Sequence, residues 1–337
     1  MGGDGFRIML SVIIPSRSPQ FLQQTIDDLL TKAEGPVEII VAMDGVWAPL
    51  KDDSRVTILH HGGVHQAKGM RATINAGVAI SNGTHIMKID EHCTVDQGYD
   101  VKLKADCEEN WVVIPRRYRL DAETWSLVRD GRPPVDYMFI AYPYERKNDR
   151  TCGLHGALWK RPERDDILID DTMSWQGSCW FMHRSYWDWL IVELDDVNYG
   201  PFTQEAQEIG MKVWLSGGRL VVNKKTWYAH WHKGRKGKGY GFSNKQYRAH
   251  MDGTERGRLY CIDYWMNNRW EQRVHDFEWL LEKFWPIPTW KDTWREDIIR
   301  DKQEEDPEII AKGSQWINKF DKNAAIQAKR EAMMKEE

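Results

Sequence analysis

The sequence predicts an α/β fold: a mainly parallel sheet with helices on both faces, followed by a helical C-terminal appendage. Three observations lead there. Short apolar runs alternate with segments of helical spacing through the first third of the chain, in the βαββαβ order of strands joined by crossover helices. Several of the runs stop at Pro, Ser, Asp or Gly, as strands do when they open onto a site at their carboxyl ends. Beyond residue 250 the apolar residues recur at helical spacing instead. With 337 residues the chain can bury a sizeable core.

Taken in order, Leu10 to Ser16 reads as a buried strand ending in a Pro-Ser turn, and residues 19–33 have helical spacing through Leu22, Ile26 and Leu29. Val37 to Met43 is a second apolar strand, closed by Asp44-Gly45. Val56 to Leu59 is a third, followed by a basic, Gly-bearing loop from His60 to Lys68. From Gly69 the spacing is helical again, through Met70, Ile74 and Val78, until Ser81-Asn82-Gly83 breaks it. Thr84 to Ile89 is then a short strand that delivers Asp90, Glu91 and His92 to its end. Asp90 and His92 lie two residues apart on extended chain, so both can reach one ion. A carboxylate with an imidazole suits a divalent cation such as Mn²⁺, although an isolated Asp-x-His commonly does no more than cap the next turn.

Tyr99 to Asn110 reads as a helix and Trp111 to Arg117 as a strand. Between Tyr118 and Asp171 the pattern weakens around Pro133-Pro134, Pro143 and Pro162, which marks long loops; His155 there reads as a surface residue. Order returns at residues 172–183, where Gly177, lacking a Cβ, either lets a ligand ring approach the backbone or sits in an ordinary packed turn. Ser185 to Val192 is helical. Glu205 and Glu208 stand three apart on a helical stretch and share a face, as catalytic carboxylates or as solvated surface. Leu220 to Asn223 is a further strand, leading to His230 and His232. Lys233 to Phe242 is too Gly-rich to be regular and too basic to be buried, and reads as a mobile loop. Gly253 to Trp285 has helical spacing up to the Pro286–Pro288 stop, Asp306-Pro307 can open another helix, and the end from Ala324 is charged.

Charge is segregated. The chain has 47 basic and 51 acidic residues, yet from Ile209 to Met251 there are ten Lys or Arg and no Asp or Glu, which leaves 37 basic against 51 acidic elsewhere. Five scattered Cys lack paired metal spacing. No apolar run approaches the roughly 20 residues of a membrane span, and MGGDGFR has no secretion-type apolar stretch. A cytoplasmic protein without a membrane partner is therefore expected; the oligomeric state is not legible.

The stretch Gly69 to Cys93 resembles GT-A-fold glycosyltransferases, with Asn75-Ala76-Gly77, Gly83 and Asp90 in register with that family's helix, turn and metal motif. Asp90-Glu91-His92-Cys93 is similar to the polypeptide N-acetylgalactosaminyltransferases, as are Glu205, Glu208, Trp214 and Gly217-Gly218 in their spacing. Ser11 to Pro15 looks like the first strand of family 2-like transferases, and Val41-Ala-Met-Asp44-Gly45 like their Val-Asp-Asp-Gly, with Met43 replacing an Asp. Ile74 stands where the wider family often has Arg. Pro201-Phe202-Thr203-Gln204 replaces a segment that helps hold the sugar, so the donor sugar can differ.

The resemblance implies a UDP-sugar donor, with Mn²⁺ (or Mg²⁺) held by Asp90, His92 and His230. It places Pro15, Ser16, Arg17, Asp44, Lys68, Arg71 and Asn75 on the nucleotide, with Asp90, Gly177 and Trp214 completing the donor site. Lys233 and Arg235 would close over the diphosphate, while Glu205 and Glu208 are the catalytic candidates. It implies a catalytic domain over residues 1–250, with a nucleotide-binding half at 1–117 and an acceptor half at 118–250, and a helical extension at 251–337. Retention of anomeric configuration is implied as well, since Glu205 is followed by Ala206 rather than by an Asp base. The basic, aromatic-rich run from 209 to 251 can hold a polyanion, with cations on phosphates and rings on bases. That makes a hydroxymethylated base in DNA, as in viral DNA-base glycosyltransferases, the leading acceptor. A saccharide, a peptide Ser or Thr, or a non-catalytic nucleic-acid-binding protein on the same scaffold stand as alternatives.

Overall fold

The computed structural model describes residues 9–143, 153–232, 244–296 and 298. The expected loop at 233–242, with Lys233 and Arg235, and the expected helix near 306 lie outside the described residues. The N-terminal half runs β1 (Leu10–Ser16), α1 (Leu22–Lys32), β2 (Val37–Asp44), β3 (Val56–His61), α2 (Met70–Ala79), β4 (His85–Ile89), β5 (Cys93–Val95) and α3 (Tyr99–Ala105). It continues through β6 (Trp111–Asp121), β7 (Ser126–Leu127), β8 (Tyr137–Ile140), β9 (Gly156–Trp159), β10 (Ile169–Asp171) and β11 (Cys179–His183). The short α4 (Arg184–Tyr186), α5 (Glu205–Leu215), β12 (Arg219–His230), α6 (Asn244–Met266) and α7 (Phe277–Phe284) complete the set.

The main sheet is ordered β10-β12-β6-β11-β4-β1-β2-β3, with β5 pairing β12 and β7 pairing β6. The pairs β1–β2, β1–β4, β2–β3 and β6–β12 are parallel, whereas β11 is antiparallel to both of its neighbours. The fold is thus the mainly parallel α/β sheet expected. The unbroken apolar runs follow from burial on both faces. Along β1, Val12 and Ile14 join Leu22, Ile26 and Leu29 of α1 and Leu103 of α3 on one side, while Ile13 meets Ile74 and Val78 of α2 on the other.

Several bounds differ from the sequence reading for identifiable reasons. β12 runs past Asn223 to His230 because a bulge between Asn223 and Trp227 absorbs the polar Lys224-Lys225-Thr226 and pairing with β6 then resumes. The region 118–171 is not only loop: β8 and β9 form a two-stranded sheet and β10 caps the main one. Ser185 to Val192 holds a π-helical turn over Trp187–Ile191. The helical pattern from 253 to 285 is two helices. Asn268 turns the chain with a positive φ of 53° and accepts the Phe277 N–H at 2.8 Å, which starts α7.

The helical C-terminal region begins at Asn244, inside the segment assigned to the catalytic domain, and shares that domain's core. Cys261 and Trp265 of α6 and Phe277, Leu280 and Phe284 of α7 belong to one apolar cluster with Ile209 and Trp214 of α5. The Trp290 indole N–H donates to the Ile140 carbonyl at 2.7 Å. Among the described residues no helix is long and apolar enough to cross a membrane, and Cys93, Cys107, Cys179 and Cys261 are free thiols.

Candidate active site

A cleft of about 890 Å³ opens over the carboxyl ends of β1, β2 and β4 and is walled by residues before β11 and α5 and by the end of β12. Strand ends gather ligands in such sheets because their side chains and N–H groups are no longer consumed by pairing. β4 leaves the sheet at Ile89, and its next residues supply Asp90 and His92. The bulge in β12 brings His230 opposite Cys93 of β5. The Nε2 atoms of His92 and His230 lie 3.1 Å apart, Asp90 Oδ2 is 3.3 Å from His230 Nε2, and one donor atom from each residue falls within 4.8 Å of the others.

That donor set fits a divalent cation. Cis ligands of an octahedral ion with bonds near 2.1 Å stand about 3 Å apart, and one carboxylate with two imidazoles suits Mn²⁺ better than Mg²⁺. Burial lowers the His230 pKa despite the Asp90 carboxylate beside it, so the ring is neutral, as a ligand must be. Burial by itself would raise Asp90. The Lys88 ammonium, and after it His230, more than offset this and hold the carboxyl well below its usual range.

Lys88 is the main residue that pattern reading overlooked. It sits on β4 with 1% exposure, 2.7 Å from Asp90 Oδ1 and 3.5 Å from Glu205 Oε2, and it also donates to the Gly177 carbonyl. Burial works against its charge, but the two carboxylates raise its pKa above the usual lysine range. Burial raises Glu205, with Lys88 too distant to cancel it, and Glu205 Oε1 accepts the Trp180 indole N–H at 2.7 Å. A Cβ on Gly177 would stand 3.2 Å from Glu205 Oε2, so this turn packs onto the glutamate. Glu91 was missed too: its carboxylate accepts the Ser16 hydroxyl and the Ser18 N–H and so pins the β1 exit loop. A Lys inside an apolar strand and a Glu between two metal-ligand types carry no periodic signature, so only the tertiary structure reveals them.

A family model, Glycosyl transferase family 2, matches residues 11–186, more than half of the chain. The chain belongs to glycosyl transferase family 2. No curated protein matches the sequence significantly. Among solved structures, this family 2 chain is similar to the crystal structure of GalNAc-T7 with UDP, GalNAc and Mn²⁺, at 14% identity and a TM-score of 0.56, over 89% of this chain and 57% of that one. It thus spans less than two thirds of that protein, and the likeness is one of GT-A fold. S. aureus TarS matches at 13% identity and a TM-score of 0.43 over 66% of this chain and 37% of that one. Its 1–349 form matches at 12% and 0.42 over 81% and 76%.

In this family 2 chain Pro15, Ser16, Arg17, Asp44, Asp90, His92, Gly177, Glu205 and His230 all line the cleft, and Glu205 does so alone of the two glutamates. Asp44 accepts the Lys68 and Gly69 N–H groups and lies 3.7 Å from Arg17; Lys68 is exposed and is not among the residues that line the cleft. Four expected site residues, three as donor contacts and Glu208 as a catalytic candidate, lie behind the wall instead. Arg71 and Glu208 form a fully buried ion pair, with Arg71 also donating to the Thr203 carbonyl at 2.9 Å and Glu208 accepting from Lys212 at 2.8 Å. Although burial opposes it, Lys212 and then Arg71 keep Glu208 ionised below its usual range. Asn75 brackets Leu194 through both its amide groups at 2.8 Å, and Trp214 packs on Phe284 in the core. Each was placed by motif spacing, which fixes position along a helix but not which way the helix is rolled.

Proposed function

We propose that the protein transfers a sugar from a UDP-sugar to a hydroxyl acceptor with retention, using Mn²⁺ (or Mg²⁺) held by Asp90, His92 and His230. The observation that carries this reading is the convergence of those three side chains, from β4 and β12, on one point in a family 2 cleft; the fold shared with a UDP- and Mn²⁺-bound GalNAc-T7 supports it. When bound, the ion neutralises the diphosphate as it leaves. Pro15, Ser16, Arg17 and Asp44 border the nucleotide side, where Asp44 fixes the loop before α2 by binding its N–H groups. Lys233 and Arg235 are proposed to reach the diphosphate from the segment that follows His232. Glu205, anchored by Trp180 and close to Lys88, orients the donor sugar instead of abstracting a proton, which favours retention. Arg71, Glu208, Asn75 and Trp214 act indirectly, by holding α2 and α5 against the cleft.

The proposed acceptor is a hydroxymethylated base in DNA, supported by the ten basic and no acidic residues between 209 and 251. The free thiols fit a cytoplasmic setting. Incubation with a panel of UDP-sugars, Mn²⁺ and candidate acceptors, read by mass, tests the reading. Donor turnover that needs the ion and disappears in Asp90→Ala is expected. Silence with every donor would sink it in favour of a non-catalytic nucleic-acid binder, and transfer only to a saccharide or peptide would replace the acceptor.

A further inference from the structure

The two walls of the cleft differ in charge. All four carboxylates of the lining, Asp44, Asp90, Glu91 and Glu205, belong to the ends of β2 and β4 or to the start of α5, and each already has protein partners. The opposite wall, from β6, β9, the residues before β11 and the end of β12, offers Arg117, His155, Gln176 and His232 with no acid among them.

Arg117 is the unusual member. It lies on β6 directly across from Tyr228, two residues before His230 on β12, so its side chain shares the face that carries the metal-ligand candidates. Its Nε is buried and has no hydrogen-bond partner among the described residues, whereas neighbouring Arg116 is paired with Asp136 at 2.7 Å. Gln176, whose Nε2 is 3.3 Å from His232 Nε2, likewise keeps a buried, unpartnered Oε1. An orphaned guanidinium N–H in a cleft costs desolvation without return unless a ligand completes it. The planar fork of a guanidinium matches a phosphate better than a point charge does. Seen from β1 and β2, Arg117 lies beyond Asp90 and His92, with β11 between β4 and β6, and on the strand beside the one that carries His230. That places it away from the strands that border the proposed nucleotide side.

We propose that Arg117, with Gln176 and His232 beside it, seats a phosphodiester of the acceptor, so that the hydroxyl to be glycosylated is chosen by its position relative to a backbone phosphate. The seat rests on the transferase reading only for the word acceptor.

The test is equilibrium binding of the full chain to a fluorescent oligodeoxynucleotide and, separately, to inorganic phosphate and to UDP, over a range of salt. Arg117→Gln should weaken oligonucleotide binding at least tenfold and lower its salt slope by about one phosphate. Arg117→Lys should recover only part, and Arg295→Gln, which removes an exposed pairing with Glu282 outside the cleft and outside the basic run, should bind as the parent does. An unaltered oligonucleotide affinity in Arg117→Gln would overturn the seat. An equal fall in UDP affinity would assign Arg117 to the donor diphosphate, and inorganic phosphate binding as tightly as the oligonucleotide would overturn the polymer. None of these readings needs turnover, so an inactive protein that still binds through Arg117 would sink the transferase reading and leave the seat standing.

Discussion

A single buried ammonium controls the electrostatics of the cleft floor. Lys88 lies between Asp90 and Glu205 with almost no access to water. Replacing it leaves two carboxylates without their counter-charge, a change that costs roughly 3–5 kcal/mol in buried pairs. Lys88→Met is therefore expected to lower the urea midpoint markedly and, by freeing Asp90 from its ammonium partner, to tighten Mn²⁺ binding, read by paramagnetic resonance of the free ion. A second expectation concerns His230. Its pKa is lowered by burial, so protons compete with a cation only below the ordinary histidine range. Mn²⁺ affinity should stay level as pH falls toward about 6.5 and decline only beneath it; a steep decline already above pH 7 would contradict a neutral His230. The closeness of Asp90 and His92 was legible because residues two apart on extended chain put their side chains on one face. His230 was readable only by likeness, since nothing local marks one imidazole among basic residues. Lys88 was hidden because its role depends on Glu205, which the chain supplies only much later.

At the level of elements, the strands were largely legible and the helices' orientations were not. An apolar run buried on both faces announces itself, as β1 and β2 do, whereas the roll of α2 and α5 is decided by packing. That is why Arg71 and Glu208 bolt one helix to the other instead of facing a ligand. Arg71→Met should cost about 3–5 kcal/mol in denaturant unfolding, with the residual folded protein still able to bind Mn²⁺. The β4–β11 pair offers a pH test. His85 is buried against Phe181 and His183, and burial, with His183 and Lys104 adding to it, lowers its pKa to about 4. Unfolded, it would titrate near 6.5, so below that pH the unfolded chain binds the extra proton. Stability should then fall between pH 6.5 and 4 by on the order of 3 kcal/mol. His85→Phe should flatten that fall in urea titrations repeated across the range; an unchanged slope would place the loss elsewhere.

For the whole molecule, a division near residue 250 looks natural in composition but cuts through α6 and through a shared core. A 1–250 fragment strips Cys261, Trp265, Phe277 and Phe284 from Trp214 and Ile209, exposing a large apolar face. It should aggregate or lose cooperative unfolding by circular dichroism, while the full chain unfolds in one transition. Composition could not reveal this, because a Trp stripe looks the same whether it covers a neighbour or meets solvent. The pairing of β6 with β12 carries one more implication. As the polypeptide leaves the ribosome, β6 emerges early with its outer edge unsatisfied and waits for a partner translated long afterwards, and the indole of Trp290 locks onto Ile140 later still. The catalytic pocket is thus among the last features to mature during synthesis, and until then the nascent chain presents a bare sheet edge of the sort that trigger-factor-like chaperones shield.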